Sequence, residues 1–354
     1  MMQLTANRSR IRVILREHAL LIGLVGIYVL ISQSFGIAFN VSVDTEMGGA
    51  LFWNFSSMLP SMAYFLLIGR FVYMRYVIKP PNQIEWFKAD IRAIVTDPHR
   101  LLNGLIGTVL MVLVLVSFAQ LKRLIPTIHP FSWDEAFMAL DRVLHFGVHP
   151  YELAHAVFGN PLIITAVTGA YNAWLFLLYF VLFATCFYTG NPRLRMQYFV
   201  AFILTWAIGG NLLATVFSSA GPVYYARLGL GDTFAPLMNL LNAHASAAPI
   251  SVVETQNLLW DFYSRPGSLS GISAMPSMHV ASSVLMAIYA ARFGRWPAIF
   301  FGAFATTIML GSVLLAWHYA IDGYLGALVA YGAWKLSGWI VARDIWGLAE
   351  TRQD

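Results

Sequence analysis

Cysteine is almost absent from this chain of 354 residues; Cys186 is the only one. One cysteine excludes an intrachain disulfide and any thiolate-built metal site. Charge is scarce as well. Asp, Glu, Lys and Arg make up 11% of the residues, where a soluble domain carries roughly 25%. With 58% hydrophobic residues and a mean hydropathy of +0.66, a soluble protein would expose far too much apolar surface. The chain has no internal repeat and no low-complexity linker. No basic patch is interleaved with exposed aromatics, so no nucleic acid is expected as a partner. The class that remains is an integral membrane protein.

What the chain does have is a series of apolar runs. They read as about eight transmembrane helices, near 19–39, 51–74, 101–120, 161–188, 197–217, 276–292, 296–316 and 319–341. Each approaches the roughly 20 residues that cross a bilayer. The first is long for a signal peptide and shows no small-x-small cleavage site before Asn40, so a retained helix is expected. Arg8, Arg10, Arg12, Arg16, Arg70, Arg75, Lys79, Lys88, Arg92, Arg100, Arg193, Arg195, Arg292, Arg295, Lys335, Arg343 and Arg352 fall on one side of these spans. The opposite loops hold only Lys122, Arg123, Arg142, Arg227 and Arg265. Lys and Arg concentrate in cytoplasmic loops, which puts both termini in the cytoplasm. The net charge of +5 is therefore mostly topology.

The long connections, about 121–160 and 218–275, then lie on the non-cytoplasmic side. Ser132-Trp133-Asp134-Glu135 fits a capping box, in which Ser and Glu side chains satisfy free N–H groups at a helix start. Trp133, Phe137, Leu140 and Leu144 follow at helical spacing, with Asp134, Asp141 and Arg142 elsewhere. Ser251-Val252-Val253-Glu254 repeats the pattern, with Leu258, Leu259 and Phe262 continuing an apolar face up to Arg265-Pro266-Gly267. Both read as helices in the membrane interface or packed over the bundle. The fold class is all-α: a polytopic membrane helical bundle with interfacial helices in the non-cytoplasmic loops, able to form a roof over the outer ends of the spans.

Two stretches at the edge of that bundle carry ionisable groups, which are costly in a membrane and default to function. In His318-Tyr319-Ala320-Ile321-Asp322 the imidazole and carboxylate are four apart, on one face if helical. The carboxylate can then take the Nδ1–H and leave Nε2 as a nucleophile. In Met275-Pro276-Ser277-Met278-His279, Pro276 and Ser277 mark a helix start, whose free N–H groups and dipole suit a phosphate. That phosphate would lie between His279 and His318 if spans 6 and 8 are neighbours. His129, His145, His149, His155 and His244 take the plainer reading of interfacial histidines.

Pro276-Ser277-Met278-His279 and His318-x-x-x-Asp322 resemble two elements of the type 2 phosphatidic acid phosphatase superfamily. The string from Gly271 to His279, together with Gly221-Pro222-Val223-Tyr224-Tyr225, is more similar to the branch containing inositol phosphorylceramide synthase, and the string from Lys122 to Asp134 is reminiscent of that branch too. The resemblance implies a covalent phosphohistidine on His318, oriented by Asp322, with His279 protonating the leaving oxygen. It implies a lipid-phosphate substrate and no cofactor or metal. It also implies three parts: 1–100 as a cytoplasmic tail and two transmembrane helices, 101–345 as a six-helix catalytic membrane domain, and 346–354 as a cytoplasmic tail.

The chain departs from the superfamily pattern in two respects. The Ser-Arg pair expected six and seven positions before the second histidine is replaced by Gly311 and Ser312. The Lys-x6-Arg-Pro element is missing too, since Leu258 stands where its lysine should precede Arg265-Pro266. The phosphate site is therefore expected to use Ser277 and a cation from the outer loops, with Arg227 ahead of Lys122 and Arg265. The leading function is a metal-independent phosphotransferase acting on a phosphorylated lipid headgroup at the non-cytoplasmic face. A lipid phosphate phosphatase with the same residues is the nearest alternative. A metal enzyme with a His279, His318 and Asp322 ligand set and a transporter relaying protons through the same groups are two others.

Overall fold

A computed structural model describes residues 15–41, 45–247, 252–265 and 271–343. Arg8, Arg10, Arg12, Ser251, Pro266, Gly267, Arg352 and the 346–354 tail lie outside them. The described residues are mostly helical and contain no strand. In chain order the helices are α1 (Ala19–Ala38), α2 (Thr45–Tyr73), α3 (Gln83–Val95), α4 (Pro98–Ile128), α5 (Asp134–Leu144), α6 (Pro150–Phe158), α7 (Pro161–Cys186), α8 (Pro192–Val216), α9 (Ala235–Ala247), α10 (Val253–Ser264), α11 (Met278–Ala290), α12 (Arg295–Leu314) and α13 (Ala320–Ala342). This is the expected all-α polytopic bundle.

Among the described residues seven helices are long and apolar enough to cross a membrane: α1, Ser56–Ile78 (most of α2 and the turn after it), α4, α7, α8, α12 and α13. The eighth expected span is the shorter apolar helix Met278–Phe293. At 1.5 Å per residue it covers about 24 Å of a hydrocarbon core about 30 Å thick. One of its ends must therefore stop short of a bilayer face and be covered by protein.

The sequence reads as punctuation at several helix starts. Asp97-Pro98, Asn160-Pro161 and Asn191-Pro192 each put an Asx side chain at the N-cap, accepting a backbone N–H, and a proline in the first turn. Pro at that position sacrifices no hydrogen bond, and the Asx oxygen satisfies a donor the helix leaves free. The third span runs past its expected end at 120 to Ile128, which keeps Lys122 and Arg123 helical.

Packing divides into two layers. Within the bundle, Leu21, Val25, Val114, Leu178, Phe199, Phe202, Ala281 and Met286 belong to one buried cluster built by α1, α4, α7, α8, α11 and α13. A second cluster joins the loop helices to the outer ends of the bundle through Phe137, Tyr224, Tyr225, Phe234 and Leu241, packed with Leu314, Leu315 and Tyr319. The roof expected from the loops is thus a packed layer.

Its helix starts differ from the expectation. The N-cap of α5 is Trp133 and makes no side-chain cap bond, while Ser132 Oγ approaches His129 Nε2 instead. The N-cap of α10 is Val252, also without a side-chain cap bond. The inward face of α5 is not the apolar one: Asp134, Phe137 and Asp141 are buried, while Leu140, Val143, Leu144 and Phe146 are exposed. The two carboxylates turn inward because backbone donors wait there. Leu258 and Phe262 of α10 are likewise exposed, and Gln256 is the buried residue of that helix.

Candidate active site

The His318 segment sits between α12 and α13 and is tied down from several directions. Its own N–H donates to Ser312 O at 3.0 Å. His155 Nε2 lies 3.0 Å from Leu314 O, and Gln256 Nε2 donates to Leu315 O at 2.8 Å. Val223 N–H donates to Ala316 O at 3.0 Å. That last bond depends on Gly221, whose φ of +95° falls in the left-handed region and whose Cα lies so near the segment that a Cβ would sit 2.6 Å from Trp317 O. An L side chain cannot meet both conditions.

The buried carboxylates of α5 complete the clamp. Asp134 accepts from Ala220 N (2.9 Å), Gly221 N (2.8 Å) and Tyr319 Oη (2.9 Å). Asp141 accepts from Ala320 N (2.8 Å) and Ile321 N (3.1 Å), two free donors in the first turn of α13. Burial raises both carboxyls above the ordinary carboxylate range, and these N–H donors oppose the rise. Asp141→Ala is expected to leave two buried N–H groups unpaired beside His318, at roughly 1–3 kcal/mol each. A lower melting temperature in detergent, with a fall in turnover, is the readout; an unchanged melting temperature would show that the clamp is dispensable.

His318 and Asp322 meet, by a route that differs from a shared helical face. His318 precedes α13, whose N-cap is Tyr319. Asp322 is the third residue of the helix and reaches back, accepting Tyr319 N–H at 3.0 Å and standing 3.3 Å from His318 Nδ1 through the same Oδ2. The carboxylate is fully buried and His318 is 6% exposed. Burial and the nearby Lys122 ammonium push the His318 imidazole down to about 3, against a backbone hydrogen bond to Ala274, so the ring is neutral.

His279 is the second residue of α11, whose N-cap Ser277 accepts Val280 N–H through Oγ. The condition that spans 6 and 8 be neighbours is met, since α11 packs on α13. Ser277 N–H donates to Asp322 O at 2.9 Å, joining the two motifs directly. The approach is so close that a Cβ on Gly326 would lie 2.5 Å from Ser277 O. His279 rests on the rings of Trp174 and Tyr171, centroids 4.2 and 4.6 Å away. Trp174 is held in turn by a 2.9 Å bond from Nε1 to Ser282 Oγ. The ring centroids of His279 and His318 are 5.9 Å apart.

Both imidazoles border one cavity of about 260 Å³, and so does Lys122 from α4. The other expected phosphate ligands lie elsewhere. Ser277 is buried, with its hydroxyl spent on the helix cap. Arg227 is exposed, bonded to Asn257 and lying over the Trp260 ring; Arg265 lies over Phe262. Neither borders the cavity. Arg142 binds Gly147 O, and His129, His145 and His244 each have protein partners away from the cavity. At the Ser-Arg position, a Cβ on Gly311 would lie 3.0 Å from Tyr171, and Ser312 turns its hydroxyl to Met309 O. This packing leaves Tyr171 against His279 and supplies no cation. Tyr171 and Trp174 carry no sequence signal, and the signal for Asp134 and Asp141 is their spacing, which puts both on one helix face.

Among the described residues no group of three or more His, Cys, Asp or Glu side chains converges as a metal-holding set. Asp322 Oδ2 stands behind His318 at Nδ1 instead of sharing a point with both rings. A neutral imidazole with one nitrogen on a carboxylate, a second imidazole and an ammonium around one cavity can bind a phosphate and attack it.

Comparison with known proteins agrees with this chemistry. Residues 135–336 match the family model described as the PAP2 superfamily. No curated protein and no solved structure matches the chain. The match spans more than half of the sequence and contains both histidine motifs. The chain belongs to the PAP2 superfamily, which supports an enzyme of the phosphatase or phosphotransferase type acting on lipid phosphates.

Proposed function

We propose that this protein is an integral membrane phosphotransferase that moves a phosphorylated headgroup between lipid or polyol hydroxyls through a phosphohistidine. The observation that carries it is the single cavity bordered by His279, His318 and Lys122, with Asp322 behind His318. Residues 101–345 serve as the catalytic membrane domain. The phosphate of the lipid lies between the imidazoles, paired with the Lys122 ammonium. His318 Nε2 attacks phosphorus, the P–O bond to the lipid alcohol breaks, and His279 gives its proton to the departing oxygen. The acceptor hydroxyl then attacks phosphorus, His279 takes its proton, and the P–N bond breaks. If water is the acceptor, the same residues perform a phosphatase reaction.

The absence of the Ser-Arg and Lys-x6-Arg-Pro elements favours transfer over hydrolysis, since the usual phosphate clamp of the phosphatases is replaced by Lys122. The branch of the superfamily that the motifs resemble points to an inositol phosphate headgroup and a ceramide acceptor. Incubating the purified protein in nanodiscs with a panel of lipid phosphates and phosphodiesters, with and without inositol and ceramide, tests this by mass spectrometry of the products. A phosphorylated acceptor is the expected result; free inorganic phosphate alone would assign hydrolysis.

The site faces away from the cytoplasm in this reading, because the basic residues concentrate at the opposite ends of the spans. Cysteines placed at the exposed Asp232 and Asp261 are expected to react with a membrane-impermeant maleimide in intact cells, over a background in which Cys186 is buried. Labelling that appears only after lysis would reverse the orientation.

A further inference from the structure

The cavity does not end at the phosphate chemistry. Lys122, His279 and His318 border it together with Ala220, Tyr224 and Ile272 of the outer layer. From there it descends between α4, α7 and α8, bordered by Ala119, Phe118 and Leu115 on the first helix, Leu178 and Tyr179 on the second, and Trp206 on the third. Leu115 lies two turns below Lys122 along α4, about 10 Å at 1.5 Å per residue. Among the described residues that border the cavity, Lys122 is the one charged side chain, and the His318 ring is neutral. Leu178, Tyr179 and Trp206 are buried, and Phe118 packs edge-on against Trp206 with ring centroids 4.5 Å apart. Phe118, Leu178 and Trp206 belong to the buried cluster of the bundle.

An apolar channel that opens onto a phosphate-reactive end fits one kind of occupant, the hydrocarbon chain attached to the reacting phosphate. We propose that this lower cavity is a slot for a single chain of the lipid substrate, with the Trp206–Phe118 pair as its floor and Ala119 as its narrowing wall. This rests on the lipid-phosphate reading of the site above, and it adds that the enzyme measures the chain. The slot holds a chain of limited length, so affinity rises with each methylene until the chain meets Trp206 and then levels. Each methylene taken from water into the slot raises affinity roughly fourfold. A side chain larger than alanine at 119 shortens the slot, and a smaller one than tryptophan at 206 lengthens it.

The test uses the full-length protein in nanodiscs and a series of n-alkyl phosphonates of increasing chain length. Binding is read by native mass spectrometry, and turnover of the matching alkyl phosphates is read separately. In the wild-type protein, affinity is expected to climb roughly fourfold per methylene and then reach a plateau. Ala119→Phe moves that plateau to shorter chains and Trp206→Ala moves it to longer ones. The two variants perturb packing in opposite senses, so a folding defect in one leaves the other informative, and the wild-type series stands without either. A plateau at the same length in all three proteins, or affinity independent of chain length, overturns the slot even if turnover is normal. A length-dependent series in which no protein turns over any alkyl phosphate keeps the slot and overturns the catalytic reading.

Discussion

His318→Ala is expected to have no measurable turnover, because the covalent step loses its nucleophile. Removing the nucleophile of a covalent mechanism costs on the order of 10⁶-fold in kcat. The fold should survive, since the His318 side chain is held mainly through Asp322 Oδ2, which keeps its bond from Tyr319 N–H. A lipid phosphate labelled at phosphorus, quenched in base during turnover, should leave an acid-labile phosphohistidine in the wild type and none in His318→Ala. His279→Ala should slow its formation by roughly 10²–10⁴-fold, the usual range of general acid catalysis. Asp322→Asn should keep the cap and lose most activity, because an amide can hold the wrong tautomer. An active His318→Ala protein would sink the phosphohistidine mechanism. The free imidazole sits at about 3, so protonation of His318 places no acid limb in kcat/KM near neutral pH. A limb near pH 6 would report another group.

Lys122→Ala is expected to cost about 2–4 kcal/mol of transition-state stabilisation, which is the scale of one lost electrostatic donor. The reason is position. A phosphoryl group in transfer develops charge in a partly dry cavity, and Lys122 is the cation that borders that cavity with both histidines. Lys122→Arg keeps the charge and should retain part of the rate, with the difference set by the shape of the guanidinium. Arg227→Ala and Arg265→Ala should remain near wild type, because their guanidinium groups lie over Trp260 and Phe262. The measurement is kcat/KM for all four variants on one lipid phosphate. A dead Arg227→Ala protein beside an active Lys122→Ala protein would move the cation to the outer loop and leave the rest of the mechanism standing.

Arg227 and Lys122 exchange rank once the cavity is known, because Lys122 borders it and Arg227 does not. Arg227 follows Gly221-Pro222 in the chain, but proximity in sequence is not proximity in space. The apolar run ends near 120, which on the sequence alone puts Lys122 in a loop. Helix α4 continues to Ile128, so Lys122 stays on a helix and borders the cavity of His279 and His318. Nothing local in the sequence distinguishes a lysine just past a membrane span from one at its buried end, since both have an aliphatic stem that can lie along apolar surface.

The two aspartates of α5 teach the same lesson. Apolar spacing groups Phe137, Leu140 and Leu144 on one helix face and leaves open whether that face meets the membrane interface or the bundle. Beside a membrane, exposed apolar side chains cost little, and the inward face is decided by which backbone donors need an acceptor. The N–H groups of Ala220, Gly221, Ala320 and Ile321 need one, and Asp134 and Asp141 supply it.

By itself the sequence determined that the chain is an all-helical membrane bundle, because its scarcity of charge and its long apolar runs allow no other solvent. It also determined which two histidines and which carboxylate to examine, because ionisable groups at membrane edges are costly and these fall into two family motifs. Only the tertiary structure decided that His279 and His318 share a cavity, that Lys122 is the cation beside them, and that Asp134 and Asp141 hold the segment in place. Those facts depend on which helices touch. Helix contacts are settled by close approaches such as Gly326 on Ser277 and by buried hydrogen bonds between residues far apart in the chain, and no periodicity within a single helix encodes them.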